Sequence, residues 1–75
     1  MNRKQIGANI DKIRKSKGLT KTELGRRMGF EREYLTTYKH LKDGPFSIDS
    51  LFKYCEILDC SPEDLLKEPT NSKEV

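Results

Sequence analysis

Apolar residues recur along the chain at helical intervals, and no segment alternates apolar with polar positions as a half-buried strand would. Ile6, Ile10 and Ile13 form the first stripe, with Asn9, Asp11, Lys12, Lys15 and Ser16 between them, which predicts an amphipathic helix. Gly18 suits a left-handed cap and stops it. Thr20-Lys21-Thr22-Glu23 matches a capping box, in which the Thr20 hydroxyl and the Glu23 carboxylate satisfy amide donors reciprocally, so a second helix begins near Lys21. Leu24 and Met28 share one face of it. Gly25 removes a side chain where another helix could approach, and Gly29 ends the helix.

A third helix is predicted from about Glu31 to Leu41, with Tyr34, Leu35, Tyr38 and Leu41 as its larger apolar residues and Tyr38 in the core. Its start is weakly capped, since Glu31 suits the helix dipole but is a poorer cap than Ser or Asp. Lys42-Asp43-Gly44-Pro45-Phe46 reads as a turn. Ser47 caps a fourth helix carrying Ile48, Leu51, Tyr54, Cys55 and Leu58, and Ser61-Pro62-Glu63-Asp64 starts a short fifth that turns Leu65 and Leu66 inward. Glu68 to Val75 holds Pro69 and small polar residues, so a domain over 1–67 followed by a flexible tail over 68–75 is expected. There is no internal repeat.

Composition narrows the function. At 75 residues, 33% hydrophobic and 36% charged, the chain has room for one thin core and none for a deep substrate cavity. No stretch holds more than two consecutive apolar residues, against the roughly 20 of a membrane helix, so neither a membrane span nor a secretory signal is expected. Cys55 and Cys60 are spaced C-x4-C and the single histidine, His40, is remote from them. They read as core thiols of an intracellular, cytoplasmic protein, with no metal site and no cofactor. No Ser-His-Asp or Cys-His constellation and no Gly-rich phosphate loop is present, so no catalytic residue is named and no enzyme is expected. Charge is uneven: residues 1–44 hold 12 Lys/Arg against 5 Asp/Glu, or +7, and residues 45–75 hold 3 against 7, or −4. The first part can face a polyanion while the second faces something else.

Two short helices joined by a Gly turn, with a small residue at their contact, are what a helix-turn-helix requires. The pieces Ile6-Gly7, Ile10, Ile13-Arg14, Lys17-Gly18-Leu19-Thr20, Glu23-Leu24-Gly25, Met28-Gly29-Phe30, Leu35, Ser47-Ile48 to Leu58, and Ser61-Pro62-Glu63-Asp64-Leu65-Leu66 follow in a specific order. From Ile6 to Leu66 the chain resembles the Cro/CI-type DNA-binding domain, the lambda-repressor-like or XRE family. The resemblance implies an all-α, compact five-helix bundle whose third helix enters the major groove while the second lies across the phosphate backbone.

Position by position, the resemblance implies phosphate contacts at Thr20 and Lys21, where helix-start amides also favour an anion. It puts the base-reading positions at Glu31, Arg32, Glu33, Thr36 and Thr37, with Arg32 suited to a bidentate contact with guanine and Glu33 to cytosine N4. Glu31 and Glu33 have a competing role in serving the helix dipole alone. Lys39, His40 and Lys42 follow where the family grips phosphate, and the Tyr34 hydroxyl can reach one; His40 also reads as a neutral surface hydrogen-bonder. The family often pairs an acid near the end of the third helix with the Arg of the first. Here Arg14 would meet Lys39, so that pair is lost, and either both cations turn to phosphate or the first helix packs differently.

The expected function is a sequence-specific double-stranded DNA-binding regulator, a repressor binding an inverted repeat as a homodimer. The acidic second part, with Phe46 and Phe52, is the expected dimer or partner surface, unless Phe52 completes the core. The alternative is an interaction module, antitoxin-like or regulatory, that binds a protein partner and little DNA.

Overall fold

The computed structural model describes residues 2–67 of the chain as five α-helices: α1 Arg3–Ser16, α2 Lys21–Met28, α3 Glu33–Asp43, α4 Ile48–Leu58 and α5 Pro62–Leu66. No strand occurs among the described residues. The tail expected over 68–75 lies outside them.

Helix starts follow local capping chemistry. Asn2 Oδ1 accepts from the Gln5 amide at 2.8 Å, Thr20 Oγ1 from the Glu23 amide at 3.0 Å, and Ser47 Oγ from the Ser50 amide at 3.1 Å. Each satisfies an amide that the helix cannot. At α2 the box is only half made, because both Glu23 carboxylate oxygens turn to Arg26 and Arg27 instead of reaching back to Thr20. The third helix starts two residues later than expected. Glu31 and Arg32 form a bend, and Arg32 occupies the cap position with no side-chain bond to the helix.

Gly29 ends α2 in the left-handed conformation at φ 86°, which a residue with a Cβ adopts only at a cost. The Phe30 amide then bonds the Gly25 carbonyl at 2.9 Å and redirects the chain into α3. The helix-turn-helix angle is fixed at Gly25, where an added Cβ would overlap the Glu33 carbonyl and crowd Thr37 Oγ1. A similar approach brings Gly7 of α1 against the Leu41 carbonyl of α3. Thus α3 is seated on α2 and α1, while α5 closes the bundle against α1 and α4.

Ile10, Leu24, Met28, Leu41, Tyr54, Cys55, Leu58 and Leu65 are the buried core, with Ile6, Ile13, Leu19, Phe30, Phe46 and Leu51 among those packed around it. Asn9 is buried with them and donates through Nδ2 to the Leu65 and Lys67 carbonyls at 2.8 and 2.9 Å, which ties α5 to α1. Three expected core positions differ. Tyr38 and Leu35 of α3 are 42% and 38% exposed, and Ile48 at the start of α4 is 70% exposed.

The reason on α3 is a rotation of the buried stripe. Thr37 and Leu41 are buried, with Glu33 and His40 partly so, whereas Tyr34, Leu35 and Tyr38 face out. At roughly 100° per residue, the stripe is turned by about one position from the one that apolar side chains suggest. Gly25 presses so closely on α3 that only a small residue fits opposite, and Thr37 takes that place.

Candidate nucleic-acid interface

With Thr37 and Leu41 turned inward, i, i+4 and i+7 spacing puts Leu35, Lys39 and Lys42 on the opposite face of α3. All three are exposed, as are Glu31, Arg32 and Tyr34 at and just before the start of the helix. The Tyr34 and Tyr38 rings stack at 6.2 Å, and Lys42 Nζ lies 5.8 Å from the Tyr38 ring centroid. A cationic, partly apolar surface results. Leu35 belongs to this exposed face although its apolar side chain assigns it to the core, and its i, i+4 spacing to Lys39 is the sequence signal for that placement.

Glu33 is half-buried, with Oε2 3.7 Å from Arg26 Nε of α2, so its charge faces the α2–α3 junction. Thr36 is half-buried at the flank of the helix. Two of the expected contact residues lie away from this outer face. Thr37 has 0% exposure and its Oγ1 has no hydrogen-bond partner among the described residues, so its side chain faces the bundle and not the outer surface. His40 is not a free surface group: Nε2 lies 2.6 Å from the Pro45 carbonyl and Nδ1 2.6 Å from the Tyr54 hydroxyl. A carbonyl only accepts, so Nε2 carries a hydrogen to the Pro45 carbonyl, and in that tautomer Nδ1 accepts from the Tyr54 hydroxyl. Burial pushes the Tyr54 phenol well above its ordinary value, which keeps it a donor. Phe30 and Phe46 pack on the same imidazole, at 5.8 and 4.5 Å between centroids, so His40 pins the α3–α4 turn to the core.

At the start of α2, Thr20 is exposed and Lys21 half-buried, with Lys21 Nζ 3.9 Å from Asp11 Oδ1. Arg14 does not face Lys39 at all. Its guanidinium is buried, donating to the Leu19 carbonyl at 2.6 Å and to Asp11 Oδ1 at 2.8 and 3.0 Å. An acid one helical turn away on α1 has taken the place of an acid on α3. Burial alone would raise the Asp11 carboxyl, but the Arg14 hydrogen bond and the charges of Arg14, Lys21 and Lys15 hold it below its ordinary value.

Far from this surface, Cys55 and Cys60 are free thiols in the α4–α5 region. Burial pushes both up, Cys60 to about 11, so they are poor nucleophiles at neutral pH. No group of three or more His, Cys, Asp or Glu residues that could hold a metal occurs among the described residues. Nor is any helix among them long and apolar enough to cross a membrane.

The comparisons agree with this geometry. An uncharacterized HTH-type transcriptional regulator of Sinorhizobium fredii, y4dJ, is 31% identical over 64 residues, covering 85% of this chain and 82% of that protein. No solved structure matches the chain. The model of the Cro/C1-type HTH DNA-binding domain matches residues 9–70, a span that takes in the crossing of α2 and α3 and the helices that hold it. The chain belongs to the Cro/C1-type HTH DNA-binding domain family.

Proposed function

We propose that the protein is a sequence-specific double-stranded DNA-binding transcriptional regulator, a repressor that binds an inverted repeat as a homodimer with α3 in the major groove. The observation that carries this reading is the orientation of α3. Its small and hydrogen-bonded residues, Thr37 and His40, face the core, which leaves Leu35, Lys39 and Lys42 outward beside Arg32. A helix held on two others by glycine contacts presents that face rigidly.

Arg32 reads guanine through its two parallel donors, Leu35 packs on a thymine methyl, and Thr36 reaches a base edge from the flank. Glu31 and Glu33 favour the start of α3 through its dipole and keep phosphates off it. Thr20, Lys21, Tyr34, Lys39 and Lys42 contact phosphate, which fixes register without reading sequence. Ile48 and Phe52, 70% and 57% exposed at i and i+4 on α4, form the homodimer surface. Free, unreactive thiols suit a cytoplasmic protein, and the role calls for no catalysis and no cofactor.

Arg32→Ala tests the reading. The variant should keep the wild-type fold and lose discrimination at one base-pair position by about 1–3 kcal/mol, measured by competition among duplexes differing at single positions. Unchanged discrimination at every position would remove Arg32 from the reading role.

A further inference from the structure

The contact of Gly7 with the Leu41 carbonyl draws α1 and α3 together. A groove opens there, lined by Lys4 and Asp11 of α1, Lys21 at the start of α2, and Tyr38 and Lys42 of α3. Three lysines line it against one carboxylate-bearing residue. That carboxylate is already engaged, since Asp11 Oδ1 accepts two hydrogen bonds from buried Arg14 at 2.8 and 3.0 Å. Lys21 Nζ, at 3.9 Å from the same oxygen, is beyond hydrogen-bond range. The groove is therefore cationic, and Tyr38, which the rotation of α3 turns away from the core, adds a phenolic donor at its rim.

We propose that this groove seats one phosphodiester of the DNA backbone, with Lys4, Lys21 and Lys42 converging on its non-bridging oxygens and the Tyr38 hydroxyl donating to it. The inference rests on the DNA-binding reading and extends it. Lys4 precedes the residues 9–70 that the family model matches, so the contact adds α1 to a surface otherwise built from α2 and α3. Lysine suits the task because its ammonium is a compact point charge on a flexible stem that follows a phosphate without demanding one geometry. A contact of this kind strengthens binding to every sequence equally and releases one condensed counterion.

The test is the salt dependence of binding of the full chain to a randomised 30-base-pair duplex pool, compared for wild type, Lys4→Ala, Tyr38→Phe and Lys53→Ala. Lys4 and Lys53 are both exposed, so neither change disturbs the core, and Lys53 lies on α4 away from the groove. Lys4→Ala should lower the slope of log K against log salt by about 0.9, with sequence preference retained. Tyr38→Phe should weaken all duplexes alike, and Lys53→Ala should keep the wild-type slope. A wild-type slope in Lys4→Ala overturns the groove contact while leaving DNA binding intact. Loss of sequence preference in Lys4→Ala overturns it as a phosphate contact. A wild-type protein with no salt-dependent duplex binding overturns the DNA reading itself, and the groove contact with it. Inorganic phosphate supplies the other arm: a saturable shift of the Lys4 and Tyr38 NMR signals at submillimolar phosphate, without DNA, would assign the groove to a free anion instead.

Discussion

A single carboxylate, Asp11, is shared among three cations: Arg14 at 2.8 Å, Lys15 at 3.5 Å and Lys21 at 3.9 Å. Only the Arg14 contact is hydrogen-bonded, through two N–H donors to Asp11 Oδ1, so it carries most of the interaction; the exposed Lys15 pair is screened by solvent. Because these partners hold the folded-state carboxyl below its ordinary value of 3.8, the unfolded chain binds the proton more readily. The stabilisation is therefore complete above about pH 5 and is lost as pH falls through 3.8 and below. Urea unfolding of wild type and Asp11→Asn at pH 6, 4.5 and 3 should give a gap in midpoint that narrows as pH falls. A gap that stays constant would show that Asp11 acts through packing and not through charge. Arg14 also marks a limit of sequence reading at this scale. The family pattern placed it opposite Lys39, yet Asp11, one helical turn away, satisfies it locally, and a partner on its own helix was available in the sequence all along.

The helix-turn-helix is held by a contact with no room to spare. Gly25 of α2 lies so near α3 that a Cβ would overlap the Glu33 carbonyl, and Thr37 beneath it is fully buried with its hydroxyl unpartnered among the described residues. Gly25→Ala should therefore destabilise the protein by about 1–3 kcal/mol through forced displacement of α3. Thermal unfolding would check it, and an unchanged midpoint would mean the two helices can slide apart freely. The caps make clear how much was legible. Thr20, Gly29, Ser47 and Ser61 act within one turn of the chain, and the starts of α2, α4 and α5 fall where these residues predict. The facing of α3 was not legible in the same way. Apolar spacing assigns Leu35 and Tyr38 to the core, whereas the narrow gap over Gly25 accepts Thr37, and His40 is half-buried between the Tyr54 hydroxyl and the Pro45 carbonyl. Such a choice depends on a contact between two elements, which periodicity within one element does not encode.

Across the whole molecule, the two chemistries of the chain separate. The first 44 residues carry +7 and build α1, α2 and α3, where Arg32, Lys39, Lys42 and the α1–α3 groove lie. The last 31 carry −4 and build α4 and α5, where Ile48 and Phe52 stand exposed. A polyanion is drawn to one part and repelled by the other, so the field orients the domain before any specific contact forms. One recognition helix reads only a few base pairs, and a second copy joined through α4 would double the site at half-sites about 34 Å apart. Selection from a randomised duplex pool by the purified protein, at one stated salt concentration, tests this account most directly. The account predicts enrichment of an inverted repeat, with guanine at the position lost in Arg32→Ala. A folded protein that enriches no sequence would contradict it and point to a protein partner for the same helix.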